Sequence, residues 1–302
     1  MNETWDVGRI LSTTADFFSK RGIESARLDA ELLLADTLDM PRESLLTRRE
    51  QKLTDIEISS YRERVRHRAG NKPVAYLLNR KEFFSLPFYV DESVLIPRPE
   101  TELLVELVLN RLNSKSQIHI CDLGAGSGCI AAALAHCRPD IFVTATERSE
   151  GAARVAVKNI CDLGLLSRVR IIRCDLFPID VTEPFDVIVS NPPYLSLKEF
   201  ESLPPGIRRF EPREALTDEG DGLTVYRRIL KTSGEHLKSD GVMFLEISPT
   251  IAQHFSPDDL LKNSSFTLVA VHPDLAGLPR VAELRLEPEQ SISRFSCQAN
   301  SQ

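Results

Sequence analysis

From residue 118 almost to the C-terminus, short apolar runs alternate with helical patterns, and this alternation constrains the fold more than any other feature of the chain. The runs IHICDL (118–123), IFVTATE (141–147), RVRIIRC (168–174), FDVIVS (185–190), GVMFLEI (241–247), FTLVAV (266–271) and VAELRL (281–286) read as strands. Residues 128–136, 150–163, 222–237 and 250–262 read as helices between them. Strands joined through helices lie parallel, and a parallel sheet must be covered on both faces. The predicted class is therefore α/β, a Rossmann-like sheet of seven strands. Such sheets bind ligands outside the carboxyl ends of their strands, where the strand order reverses.

Three successive strand ends carry residues suited to a nucleoside-shaped ligand. The first runs into Asp122-Leu123-Gly124-Ala125-Gly126-Ser127-Gly128, and its glycines let a ligand lie against bare main chain at a helix start. The spacing is G-x-G-x-G, with Cys129 where a dinucleotide fingerprint needs its third glycine, which disfavours nicotinamide cofactors. The second ends in Glu147, where an acid accepts hydrogen bonds from ribose hydroxyls or, equally, caps the helix starting near Ser149. The third ends in Asp175 and Leu176, an acceptor for an adenine amino group beside an apolar wall.

The fourth strand runs into Asn191-Pro192-Pro193-Tyr194. Consecutive prolines fix the backbone, so the Asn191 side chain and neighbouring carbonyls are held rigidly at the sheet edge. An Asn oxygen and a main-chain carbonyl together can grip both hydrogens of a planar NH₂ group, and Tyr194 offers a flat face. An amide nitrogen is a poor nucleophile because its lone pair is delocalised. Holding both N–H bonds aims it at an electrophile such as a sulfonium methyl and favours the pyramidal transition state. Neither a metal nor a strong base is required, and no His or Lys adjoins the motif to take the released proton.

The remaining chain sets the frame. With 302 residues at about 150 per domain, two domains are expected. Residues 1–72 hold no convincing strand and read as a helical bundle, 73–95 as a β-hairpin connector, and 96–302 as the ligand-binding domain with a helix from Pro99 to Leu112. Residues 195–221 form an insert rich in proline, too long for an ordinary connection and predicted to close over the site. Arg98, Glu100 and Glu102 frame the same pocket or else stabilise a helix start. Arg62, Arg64, Arg66, Arg68 and Lys72 face Glu63 alone in a local basic stretch, either a solvated face or an anion-binding strip. Overall, 37 basic against 44 acidic residues give a net charge of −7, which argues against a nucleic-acid coat protein. No signal peptide, membrane span, CxxC pair or zinc pattern is present, which suits a reduced, cytoplasmic location. The polar stretch after Glu289, which includes Cys297, is expected to fray.

Taken together, these motifs resemble the S-adenosylmethionine-dependent methyltransferases, and specifically the release-factor glutamine methyltransferase family (PrmC/HemK). The resemblance covers nearly the whole chain: PVAY and KEFF, VLIPRPETE at 94–102, DLGAGSGCIA at 122–131, VIVSNPPY at 187–194, FEPREAL at 210–216, DGL at 221–223 and AGLPRVAEL near the C-terminus. It implies the seven-stranded methyltransferase sheet with an antiparallel last strand and a substrate-docking helical N-terminal domain. The implied reaction is N5-methylation of the glutamine in the Gly-Gly-Gln motif of bacterial peptide-chain release factors, leaving S-adenosylhomocysteine. By position, Asp122, Gly124, Ala125, Gly126, Ser127, Gly128, Glu147, Asp175, Leu176 and Asn191 would bind the cofactor. Asn191, Pro192, Pro193 and Tyr194 would hold the glutamine, with Asn191, Pro192 and Tyr194 catalytic and no metal. The partner would be the release factor, met by a monomer, with no direct nucleic-acid substrate and no membrane. Glu147 replaces a more usual Asp, Leu176 stands where some members carry an aromatic, and Asn79 occupies a position often glycine. Three other readings share parts of the pattern: methylation of a ribosomal-protein glutamine, methylation of a nucleobase amino group, and a cofactor-binding scaffold without catalysis.

Overall fold

The computed structural model describes residues 5–112, 117–179 and 183–287. The polar C-terminal stretch and Cys297 lie outside the described residues. Helices α1 (Val7–Ser19), α2 (Ala26–Thr37), α3 (Ser44–Thr47) and α4 (Asp55–Ala69) open the chain. They close around Val7, Phe18, Leu33, Leu34 and Tyr61, all buried, and the Tyr61 hydroxyl donates to the Ala30 carbonyl at 3.1 Å. Thr54 and Glu57 fix the start of α4 as a reciprocal capping box, which satisfies two otherwise orphaned N–H groups.

The basic stretch of α4 is largely neutralised within the fold. Arg64 pairs with Asp36, Arg68 with Asp29 at 2.6 Å and Lys72 with Glu92 at 2.7 Å, while Arg62 lies 5.5 Å from the Trp5 ring centroid. Arg66 is exposed and has no acidic partner among the described residues.

Between residues 73 and 95 the chain is more than a hairpin. Val74–Leu78 forms a short helix, α5, because Val74, Leu77 and Leu78 fall at helical spacing and pack on the bundle core. Asn79 ends it in the left-handed conformation (φ 49°), which Asn tolerates better than most residues. The hairpin itself pairs β1 (Lys81–Phe83) with β2 (Leu86–Phe88) through Phe84 and Ser85, both at positive φ.

A 3₁₀ turn at Pro99–Thr101 leads into α6 (Glu102–Arg111). Then come β3 (Ile118–Leu123), α7 (Cys129–Cys137), β4 (Ile141–Glu147), α8 (Glu150–Asp162), β5 (Val169–Arg173) and β6 (Phe185–Ser190). The insert contributes two short helices, α9 (Leu197–Glu201) and α10 (Pro205–Phe210). After it follow α11 (Thr224–Thr232), β7 (Leu237–Glu246), α12 (Pro249–Ala252), β8 (Phe266–Pro273) and β9 (Pro279–Leu286). The sheet order is β5-β4-β3-β6-β7-β9-β8, with β9 antiparallel to both neighbours and the other pairs parallel. Side chains alternate between the faces: Ile118 and Ile120 join the cluster with α6 and α7, whereas Cys121 and Leu123 join the cluster with α11.

Two predicted helices are shorter than their patterns suggest. Residues 222–237 give α11 and a 3₁₀ turn, and Leu237 already belongs to β7, opposite Phe185. In 250–262 only α12 is helical. Phe255, Leu260 and Leu261 are buried and mimic helical periodicity, but Pro257 lacks an N–H and disfavours helix at the preceding residue. Among the described residues, no helix is long and apolar enough to cross a membrane.

Candidate active site

From β3 the chain winds through β4 to β5, then returns to place β6 on the other side of β3. The sheet order therefore reverses between β3 and β6, and both the glycine loop and Asn191-Pro192-Pro193-Tyr194 leave the sheet there. A cleft with about 1130 Å³ of open space lies above this point. Gly124, Ala125, Gly126, Ser127, Glu147, Leu176, Asn191 and Pro192 line it, as do Thr101 and Arg98 from the PRPETE segment. Among the described residues no cluster of His, Cys, Asp or Glu is arranged to hold a metal ion.

The loop is held from behind. The Gly124 and Ala125 N–H groups donate to the Thr146 carbonyl, each at 2.9 Å. Asp122 is fully buried and off the cleft wall, and its carboxylate accepts from the Ala131 N–H at 3.2 Å, which ties the strand end to the start of α7. Burial raises its pKa to about 7, against the lowering effect of that hydrogen bond. Gly124 and Gly126 present bare backbone, since a Cβ at either would meet nothing within 4 Å. Gly128 serves packing instead: at φ 78°, a Cβ there would stand 3.3 Å from the Ala156 side chain of α8.

Glu147 braces the chain on both sides of the cleft edge. One carboxylate oxygen accepts from the Ser149 N–H at 2.7 Å, just before α8, and the other from the Gly126 N–H at 2.9 Å, while the residue still faces the cleft. Asp175 pairs with Arg228 at 2.6 Å at the cleft mouth. Leu176 sits at φ 63°, a strained left-handed conformation for a leucine, and offers its side chain to the wall. Phe177 turns away to stack on His236, ring centroids 4.1 Å apart.

At the end of β6, the Asn191 amide nitrogen donates to the Thr101 hydroxyl at 3.2 Å. With the nitrogen bound there, the side-chain oxygen is the end left for a ligand. Pro192 and Pro193 line the cleft beside it, but Tyr194 does not. Its ring packs against the apolar cluster containing Tyr226 and Leu245, and burial pushes its hydroxyl pKa up to about 12. A stacking face for a ligand, expected from the sequence at Tyr194, is therefore absent from the cleft wall in this conformation.

The insert forms one side of the cleft through Pro212, Glu214 and Ala215. Glu211 is buried, accepts from the Ile96 N–H at 3.2 Å and holds Arg98 at 2.6 Å. Glu214 reaches Arg148 at 3.1 Å beside the mouth. Of the three charges in PRPETE, Arg98 lines the cleft, Glu102 turns away to accept from the Phe84 N–H at 2.8 Å, and Glu100 is exposed. The sequence reading missed Thr101 and Glu246. Glu246 is buried at the end of β7, and an acid closing the otherwise apolar run GVMFLEI was the available signal.

Residues 9–78 match the family model described as the PrmC N-terminal domain, and residues 100–203 match the methyltransferase small domain. A release factor glutamine methyltransferase of Rhodopirellula baltica is 40% identical over 94% of this chain and 98% of its own length. One from Geobacter sulfurreducens is 36% identical over 94% of this chain and 98% of its own. Among solved structures, the hMettl16 catalytic domain, determined with a MAT2A 3'UTR hairpin, shares the fold at 16% identity with a TM-score of 0.52, covering 75% of this chain and 83% of that one.

Proposed function

We propose, since this chain belongs to the release factor glutamine methyltransferase family, that it methylates the side-chain amide nitrogen (N5) of the glutamine in the Gly-Gly-Gln motif of bacterial peptide-chain release factors. The methyl donor in this reading is S-adenosylmethionine, which when bound supplies an electrophilic methyl group. The cleft fits such a group. Gly124 and Gly126 leave bare main chain where a bulky ligand can lie close, Glu147 brings a carboxylate for ribose hydroxyls, and Leu176 brings an apolar wall for adenine beside Asp175. Asp122 and Gly128 support the loop from behind rather than touching the cofactor.

The residues of the chain then hold and aim the substrate amide. Asn191 Oδ1 accepts one N–H of the glutamine and the Pro192 carbonyl the other, which fixes the nitrogen's lone-pair axis. The prolines keep these acceptors in place, so little reorganisation is left for the reaction itself. Tyr194 assists through the placement of its main chain. The observation that carries the reading is the meeting of the glycine loop, Asn191 and Pro192 in one cleft where the sheet order reverses. Incubating a release factor with the protein and S-adenosylmethionine should add about 14 Da to the Gly-Gly-Gln peptide, by methyl-for-hydrogen arithmetic at a single nitrogen. An unmodified glutamine, or a label that vanishes on nuclease treatment, would overturn the assignment.

In the same reading, residues 1–72 dock the release factor, the chain acts as a monomer in the cytoplasm, and no nucleic acid is methylated. Arg66, like Arg62, has no acidic partner among the described residues, and unlike Arg62 it does not lie over the Trp5 ring, so Arg66→Glu should slow methylation of intact release factor several-fold and leave a short Gly-Gly-Gln peptide unaffected. An equal effect on both substrates would rule docking out. Arg64 suits this test less well, since its reversal would set two acids together at Asp36.

A further inference from the structure

Asparagine presents an oxygen at one end of its carboxamide and an NH₂ at the other, and the two ends have nearly the same shape. Only the oxygen can receive a substrate N–H, so the reaction proposed above depends on which end meets the cleft. Thr101 alone cannot decide this, because a hydroxyl both donates and accepts. If Thr101 donated to Asn191, the amide would sit reversed and its NH₂ would repel the substrate's.

We propose that Glu246 is a positioning residue that, by accepting a hydrogen bond from the Thr101 hydroxyl, fixes the Asn191 carboxamide with its oxygen toward the cleft. The β6–β7 register pairs Ser190 with Leu245, so Asn191 and Glu246 are the next residues along the two adjacent strands. Thr101, which opens α6, stands between their side chains. It accepts from Asn191 on one side, and on the other its hydroxyl is near enough to the Glu246 carboxyl to favour the ionised form. An ionised carboxylate only accepts, so the Thr101 hydrogen must go to Glu246. The hydroxyl's lone pairs are then left for the Asn191 NH₂.

Thr101 and Glu246 are 2% and 1% exposed, so the relay lies away from bulk solvent. The Glu246 Oε2 atom is buried without a hydrogen-bond partner among the described residues, so no second donor competes for the carboxyl's orientation. Arg98 and Arg280 favour its ionised form, whereas burial and Glu100 oppose it. Tyr194, Tyr226 and Cys129 also feel its charge, and Tyr226 donates to its main-chain carbonyl at 2.6 Å. Glu246 does not line the cleft, so it acts through Thr101 and not on the substrate.

Burial outweighs the arginines and raises the Glu246 pKa to about 7. A protonated carboxyl can donate to Thr101, which frees the hydroxyl hydrogen for Asn191 and permits the reversed amide. The wild-type kcat should therefore fall as pH drops through about 7. The Asn191 side-chain amide signals in a ¹⁵N-resolved NMR spectrum should shift over the same range. Glu246→Gln should lower kcat about tenfold, abolish both pH responses and leave cofactor affinity within a few fold. Thr101→Val should lower kcat similarly, Thr101→Ser should recover it to within a few fold, and in Thr101→Val the added Glu246→Gln change should cost little more. Multiplying effects in the double variant, or an Asn191 signal whose pH response survives in Glu246→Gln, would overturn the relay. The inference rests on the proposed amide methylation, and Asn191→Ala separates the two. A silent Asn191→Ala removes the whole reading, whereas a crippled Asn191→Ala with silent Thr101→Val and Glu246→Gln removes the relay alone.

Discussion

Asn191→Ala is expected to lower turnover at least about 100-fold while cofactor affinity stays within a few fold, the scale of losing one hydrogen bond directed at a transition state. The asymmetry follows from position. Asn191 borders the cofactor cleft, but most of that cleft is built by the glycine loop, Glu147 and Leu176, none of which depends on the Asn191 side chain. In the proposed clamp, alanine removes one of the two acceptors for the substrate NH₂, and the need for them grows as the nitrogen pyramidalises. Without it the amide rotates freely and stays conjugated. Single-turnover rates with a Gly-Gly-Gln peptide, set beside cofactor binding isotherms, provide the measurement. Turnover within a few fold of wild type would refute the proposed clamp and the reading of the site built on it. A large loss confined to cofactor affinity would make Asn191 a cofactor ligand only.

The site was legible in the sequence wherever a local backbone demand fixed residue type. Glycines at 124 and 126 are needed for an open edge, and Pro192 and Pro193 stiffen the chain wherever they occur, so both motifs stood out before any fold was known. The antiparallel last strand came from the resemblance rather than from local patterning. What stayed hidden depends on long-range neighbours. Glu147 had two local explanations, and only the approach of the glycine loop to the end of β4 shows that one carboxylate meets both N–H groups. The charge of α4 looked free because Asp29 and Asp36, its partners, lie on another helix. Tyr194 looked like a stacking platform because nothing nearby in sequence announces that α11 and β7 cover its ring. Thr101 and Glu246 were invisible together: one belongs to a turn and the other to a strand end far along the chain. The rival readings of a ribosomal-protein substrate, a nucleobase substrate or a bare scaffold shared the same local motifs. The family membership of nearly the whole chain, including residues 9–78, favours the release-factor reading over them.

Gly222→Ala should be strongly damaging although Gly222 lies off the cleft wall. Gly222 follows the insert at φ +81°, where an alanine costs about 1–2 kcal/mol from backbone strain alone. Its Cβ would also stand 2.4 Å from the Tyr194 carbonyl oxygen and 3.1 Å from that carbonyl carbon, so main chain, not a flexible side-chain tip, would have to move. Crowding of this kind adds about 1–3 kcal/mol. The moving segment is the one that carries Asn191-Pro192-Pro193-Tyr194, already fixed on its other side by the Leu195–Thr217 bridge. A shift of about 1 Å there misaims both acceptors, for which a loss of about 100-fold in turnover is the appropriate scale. Thermal unfolding should therefore fall by several degrees and turnover should fall with it, even though the new methyl group touches no ligand. Gly220→Ala supplies the control: its φ lies outside the left-handed range and its Cβ would find only the Asp218 carboxylate, at 3.5 Å. It should stay within about 0.5 kcal/mol of wild type. Equal behaviour of the two variants would show that the contact between Gly222 and Tyr194 does not hold the substrate clamp in place.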